Sequence, residues 1–282
     1  MSAWLLEPLG EPVVVRGLVE LALLSVVAGT LGCWIVFAGI SYGAESLAHS
    51  MLPGLVGAAL LGIPLALGGA IGLAVGAALV SLAGRIRGLD ADVAVAVAIT
   101  SLFGLGVLLG LGPGVPAGLN GLLFGDLLAV GWGQVGLTAV AVVAIVLAVF
   151  LLTPSFTAVF FDRSGSRALG RRPGPFELAL AALLALAILV SVQALGNLLV
   201  VAMLVGPAAT ARLLANRIGT MMAIGTAVAL AASVAGLWFS YHAQVAAGAS
   251  VTCALCLAFV VALAVRLPLG RIRSRRAAAA PA

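Results

Sequence analysis

Apolar residues in this chain come in long, nearly unbroken stretches, separated by short polar or glycine-rich breaks. Nine stretches stand out, at residues 17–40, 47–63, 65–83, 93–111, 135–152, 176–195, 198–214, 220–241 and 247–265. A membrane-crossing helix needs about 20 apolar residues, and runs of this length without strict alternation read as helices rather than strands. The pattern therefore predicts an all-α fold, a polytopic membrane protein whose bundle of about eight or nine transmembrane helices fills residues 16–266. Residues 1–15 form a short lead containing Glu7, Pro8, Glu11 and Pro12. It lacks the basic start and small-residue cleavage site of a secretory signal peptide. Residues 267–282 form a basic, Ala-rich tail, expected to be disordered and to lie near anionic lipid.

The arginines set the topology. Arg85 and Arg87 follow the third stretch, Arg163, Arg167, Arg171 and Arg172 the fifth, and Arg212 and Arg217 the seventh. Arg266, Arg271, Arg273, Arg275 and Arg276 follow the ninth, whereas residues 112–134 and 242–246 contain no Arg. Basic loops stay on the cytoplasmic side, so the expected protein is multi-pass in the cell membrane with a cytoplasmic C-terminus. Nine crossings put the N-terminus outside. If the second stretch does not cross fully, eight spans leave both ends inside, a reading that Arg16 favours mildly.

Composition narrows the function. With 63% hydrophobic and 8% charged residues, and a mean hydropathy of +1.29, a water-soluble domain is excluded. All 14 basic residues are Arg. A chain without Lys cannot supply the lysine of a standard Walker A loop, so any ATP that drives it binds another subunit. The net charge of +5 resides in loops and tail, where it sets topology, and no nucleic-acid partner is expected. Cys33, Cys253 and Cys256 are read as soft packing residues rather than a redox or metal pair. Gly68, Gly72 and Gly76, with Gly104, Gly106 and Gly110, predict close helix–helix approach. Trp34 and the other tryptophans are expected mostly near membrane interfaces.

Ionisable residues inside apolar spans are functional candidates by default. In the segment from Ser41 to Gly54, Glu45 and His49 are spaced i, i+4 and share a helix face. A carboxylate with an imidazole can bind a divalent transition metal. The same pair can instead be a structural hydrogen bond bracing two helices, and the spacing alone does not choose. The basic loop holding Phe161, Asp162, Arg167, Leu169 and Gly170 reads either as a docking element for a cytoplasmic partner or as a solvated loop that fixes topology. His242 reads as a solvated helix terminus, and Asp126 as part of a short re-entrant or surface helix.

Five motifs, in order, resemble the membrane permeases of ABC importers for manganese, zinc and iron, over about residues 15–265. Ser41 to Gly54 is similar to the family's Ser-Tyr/Phe-x-Asp-Ala-x-x-His-Ser/Ala-x-Leu-Pro-Gly, with Glu45 in place of Asp. Asp92-Val93-Ala94 onward resembles its acidic-Asp-Thr-Ala-Ile-Gly segment, with Val93 for Thr, and Leu123-Phe124-Gly125 its Leu-Phe-Gly stretch. The Phe161–Gly170 loop is similar to the Phe-Asp-Pro-x-x-Ala-x-x-Leu-Gly loop that docks on the ATPase, and Pro207-Ala208-Ala209-Thr210-Ala211 matches its Pro-Ala-Ala-Thr-Ala run. The end of the eighth span carries Gln244 and Ala246 where the family has Asp and Pro.

The resemblance implies a permease subunit of an ATP-driven importer for divalent metal ions, without covalent chemistry of its own. It implies that Glu45 and His49 hold the metal in transit, with Tyr42, Ser46 and Ser50 beside the path. Phe161, Asp162, Arg167, Leu169 and Gly170 would couple to the ATPase. The expected partners are an ABC ATPase subunit, an extracytoplasmic metal-binding protein, a second permease chain making a homodimer, and the lipid membrane. No cofactor is expected to stay bound; the divalent metal is cargo. The competing readings are an ABC permease for a metal chelate or other small solute, a proton-coupled secondary transporter using Glu45 and His49, and an intramembrane zinc enzyme. The last has too few ligands.

Overall fold

The computed structural model describes residues 7–83, 91–112, 125–162, 165–166, 173–196 and 199–278. Among them are nine α-helices, two short 3-10 turns (Glu7–Gly10 and Leu127–Ala129) and no strand. The helices are α1 Pro12–Ala38, α2 Ser41–Leu61, α3 Leu65–Ala83, α4 Ala91–Gly110, α5 Trp132–Phe161, α6 Gly174–Leu195, α7 Val200–Leu214, α8 Ile218–Ala243 and α9 Ala247–Ala278. Six of them, α1, α2, α5, α6, α8 and the Ala247–Arg266 part of α9, are long and apolar enough to cross a membrane. The other three carry shorter apolar segments, Leu65–Leu79, Val95–Gly110 and Val200–Leu214. The protein is thus an all-α membrane protein with the expected set of helices.

Three boundaries differ from the hydropathy pattern, each for a physical reason. α2 starts at Ser41, ahead of its apolar stretch, because the polar segment up to His49 is helical as well. α5 continues past Leu152 to Phe161, with Pro154 inside it; neighbouring groups in a bundle tolerate an internal proline. α9 continues past Arg266 to Ala278, into the tail expected to be disordered. Ala and Arg are strong helix formers, so the helix outlasts the apolar run.

α1 is the hub, packed against α8, α7, α5 and α6. Its Leu21, Leu24, Leu31 and Trp34 are fully buried. Trp34 is therefore a core residue and not part of an interfacial belt. Lipid tails are as apolar as the helices, so close packing rather than hydrophobic burial must hold the bundle together. A Cβ on Gly29 would meet the backbone of Thr226 on α8, and one on Gly32 would meet the Leu204 carbonyl on α7. The second group of helices is α2, clasped by α3 and α4. Exposed Leu137, Val140, Leu147 and Leu151 form an apolar stripe along α5 that suits lipid.

The C-terminal ends of α1, α5 and α7 lie on one side of the bundle. There Phe37 of α1 stacks on Phe161 of α5, ring centroids 6.2 Å apart, and the Arg212 guanidinium of α7 lies 5.8 Å over the Phe37 ring. α1 ends at Gly39, whose φ of 74° is the left-handed conformation that glycine adopts without penalty. α2 starts two residues later.

Candidate functional site

Glu45 and His49 lie one turn apart on α2, with Glu45 Oε1 3.8 Å from His49 Nε2. That gap is too long for a hydrogen bond, so the bracing bond allowed by the spacing is not made. It is little wider than the ~3.4 Å between two donors each about 2.1 Å from one tetrahedral ion. The Glu45 side chain is 51% exposed and that of His49 18%. The His49 ring is held from α4 by Phe103, edge to face at 5.0 Å. Its buried Nδ1 has no hydrogen-bond partner among the described residues.

Two neighbours complete this face. Tyr42, one turn before Glu45, is 45% exposed and extends it. Pro53, one turn after His49, has no N–H to give the His49 carbonyl, which leaves that oxygen available. Ser46 and Ser50 sit on the flank that packs. Both are buried, and their hydroxyls donate back to the carbonyls of Tyr42 (2.9 Å) and Leu47 (2.8 Å). A Cβ on Gly76 of α3 would meet the Ser50 side chain. The structure thus brings Tyr42, Glu45 and His49 together and turns Ser46 and Ser50 away from them. No group of three or more His, Cys, Asp or Glu able to hold a metal occurs among the described residues. A cation at this site would have two protein side chains and must complete its shell with water, a backbone oxygen or another chain.

The loop after α5 is described in part. Asp162 ends α5, and its Oδ1 accepts a hydrogen bond from Gly165 N at 2.8 Å. Ser166 N donates to the Asp162 carbonyl at 3.0 Å, and Ser166 Oγ to the Ala158 carbonyl at 2.6 Å. Asp162 therefore caps the next helical turn, as a side-chain oxygen three residues ahead of an N–H does at a helix start. Phe161 is 77% exposed. Arg167, Leu169 and Gly170 lie outside the described residues.

At the far end of α8, Gln244 has a φ of 54° and its Nε2 donates to the Tyr241 carbonyl at 2.7 Å. An amide donor satisfies a terminal carbonyl where a carboxylate would meet the negative end of the helix dipole. Asp126 caps the Leu127–Ala129 turn by accepting from Ala129 N at 3.1 Å, a single 3-10 turn at the position where a short re-entrant or surface helix is expected.

One buried carboxyl escaped the sequence reading. Glu20, on α1, is fully buried; its Oε1 accepts a 2.8 Å hydrogen bond from Thr138 Oγ1 on α5. Its Oε2, and the Nε of Arg16 one turn earlier, have no partner among the described residues. The signal was legible, since Glu20 is the one acidic residue within the apolar run of α1. Thr138→Val removes the donor and leaves the carboxyl wholly unsatisfied, which costs about 1–3 kcal/mol. Thermal unfolding in detergent should show this loss. The double variant Glu20→Leu/Thr138→Val should recover most of it, because replacing both polar partners by apolar groups is close to neutral.

The profile of a family described as the ABC 3 transport family matches residues 11–266. A probable iron transport system membrane protein of Haemophilus influenzae is 32% identical over 267 residues, covering 94% of this chain and 97% of that one. The manganese import system permease protein ScaB of Streptococcus gordonii is 32% identical over 251 residues, 87% of this chain and 88% of that one. The solved structure of PsaBC from Streptococcus pneumoniae in complex with Fab superposes with a TM-score of 0.85 at 28% identity, over 93% of this chain and 95% of that one.

Proposed function

The chain belongs to the ABC 3 transport family, and from that premise we propose that this permease subunit carries divalent transition-metal ions, manganese, zinc or iron, along a path through Glu45 and His49. The observation that carries the reading is the Glu45–His49 pair: a carboxylate and an imidazole 3.8 Å apart, not hydrogen-bonded, on one face of a spanning helix. Relatives named for manganese and iron transport support the choice of cargo. Two side-chain donors suit an ion in transit, because conduction needs a site strong enough to admit the ion and weak enough to release it.

The exposure of Glu45 supports a second permease chain. A carboxylate half-exposed to hydrocarbon is costly, and a homodimer that covers this face would turn it toward a hydrated path. An extracytoplasmic metal-binding protein delivers the ion at the end of the bundle where α5 begins and α8 ends; the sequence segments 112–134 and 242–246 carry no Arg. At the opposite end, ATP is hydrolysed in a separate ABC ATPase docked on Phe161, Asp162, Arg167, Leu169 and Gly170. The subunit works in the cell membrane with its C-terminus in the cytoplasm, the side to which its arginines bias it.

The test is uptake of radioactive manganese by proteoliposomes containing this chain, its ATPase and its binding protein. ATP-dependent uptake supports the reading. Uptake that ignores ATP and follows a proton gradient would sink it and establish a secondary transporter instead. The docking loop has a separate check. Leu169→Asp puts a charge into the ATPase contact, where a desolvated unpaired charge costs several kcal/mol. The variant should lose at least about tenfold in ATPase retained through purification. Full retention would remove the loop from the contact.

A further inference from the structure

The aromatic cluster at the loop end of the bundle joins two parts of the molecule that the proposed function needs to communicate. Phe161 is the last residue of α5 and the first of the docking loop. It stacks on Phe37, interplanar angle 14° and centroids 6.2 Å apart. The Arg212 guanidinium of α7 lies 5.8 Å over the same ring. Trp34, one turn back on α1, meets Phe37 edge-on at 5.8 Å and Phe156 of α5 at 5.4 Å. Phe37 thus touches α5, α7 and its own helix at once.

Phe37 also sits immediately ahead of the helix that carries the metal pair. Gly39, left-handed at a φ of 74°, and Ile40 are the whole link between α1 and α2. A Cβ on Gly39 would meet nothing within 4 Å, so nothing wedges this link. Behind the first turns of α2 lies a cavity of about 370 Å³ lined by Ile40, Gly43, Ser46, Phe160, Glu177 and Leu184. It adjoins the flank of α2 away from Tyr42, Glu45 and His49, and so gives the start of the helix room to shift. Buried Trp34 holds an indole N–H with no partner among the described residues. Such an orphan donor needs an explanation, and a second arrangement of the cluster that satisfies it is one.

We propose that Phe37 is a positioning residue that relays movement of the docking loop to α2. The loop pulls Phe161, the stacked Phe37 ring follows under the hold of Arg212, and the Gly39 link swings the first turns of α2 against the cavity. Glu45 and His49 change position with them. The relay rests on the reading of residues 161–170 as the ATPase dock, and the experiment separates the two.

Manganese transported per ATP hydrolysed is measured in proteoliposomes holding the full complex, for wild type, Phe37→Ala, Phe37→Tyr, Arg212→Gln and Leu169→Asp. Phe37→Ala should retain the ATPase and hydrolyse ATP, yet lose at least about fivefold in the ratio, the lower end of measured coupling between sites. Phe37→Tyr, which keeps the ring, should restore it. A wild-type ratio in Phe37→Ala overturns the relay, and so does a loss that Phe37→Tyr fails to rescue. Should Phe37→Ala not assemble, Arg212→Gln decides, because it leaves every ring in place; an unchanged ratio there overturns the proposal. If Leu169→Asp loses the ATPase while Phe37→Ala transports normally, the dock stands and the relay falls. If Leu169→Asp keeps the ATPase in full, the dock falls and the relay with it.

Discussion

His49→Ala should reduce ATP-driven manganese uptake about 100-fold while the chain still folds and still retains its ATPase. The imidazole is one of only two charged or imidazole donors on this face of α2, and the described residues offer no cluster of three to take its place. Loss of an outer-shell partner alone costs a metal site about 10–100-fold, and loss of a direct ligand belongs at the top of that range. The remaining Glu45, half exposed, is a single oxygen ligand with little to distinguish a transition metal from magnesium or calcium. The fold should survive, since the His49 ring packs mainly edge-on against Phe103 and makes no hydrogen bond to Glu45. Two variants of Glu45 sharpen the result. Glu45→Asp keeps the carboxylate on a shorter stem and should retain uptake with an altered preference among metals. Glu45→Gln keeps the size without the charge and should not. Elemental mass spectrometry on the purified complex provides the parallel readout, metal bound in wild type and absent in His49→Ala. Wild-type uptake by His49→Ala would remove the imidazole from the path.

The helices were legible because a membrane-spanning helix is apolar whether it faces lipid or its neighbours, and in this chain nearly every helix is apolar over most of its length. Their ends were not. The polar turn Ser41–His49, Pro154 in α5 and the Arg- and Ala-rich continuation of α9 are all helical by propensity or context, while hydropathy reads them as breaks. The pairing of Glu45 with His49 was legible because an i, i+4 spacing fixes a shared face whatever the tertiary structure. Ser46 and Ser50 show where that reasoning stops. They lie in the same motif, yet their exposure is decided by how α2 is clasped, and each hydroxyl ends up bonded to its own helix. Glu20 was legible and overlooked, whereas its partner Thr138 was not, because the two lie 118 residues apart. The contact of Phe37 with Phe161 and Arg212 has no sequence signal either: three helices must first be brought to one end of the bundle.

The motif that begins with Ser41 closes on Pro53 and Gly54, and its two ends do different work. The first half carries Glu45 and His49 on one face; the last residue sets how closely α2 lies against α3. A Cβ on Gly54 would meet the Gly68 carbonyl oxygen, and the Gly72 N and Cα at 2.8 and 2.9 Å, all backbone of α3. Gly68 and Gly72 return the contact, since a Cβ on Gly68 would meet the Gly54 carbonyl and one on Gly72 the Met51 and Ser50 carbonyls at 2.9 Å. No side chain is available to move aside, so α2 and α3 must separate. Gly54→Ala should therefore destabilise the protein by about 3 kcal/mol, the upper end of ordinary overpacking, and Gly54→Leu should abolish the folded yield. Gly57, in the same helix, is the control: a Cβ there meets nothing within 4 Å. Gly57→Ala should instead stabilise α2 by about 0.5–1 kcal/mol, the helix-interior preference for Ala. The comparison is made by thermal unfolding in detergent, with fluorescence-detected size exclusion for the yield. If Gly54→Ala and Gly57→Ala unfold at the same temperature, the close α2–α3 approach is not what fixes the helix. Separation of these helices would also disturb the seat of His49 against Phe103 on α4. Any Gly54→Ala protein that does fold should then transport less metal than its thermal stability alone would predict.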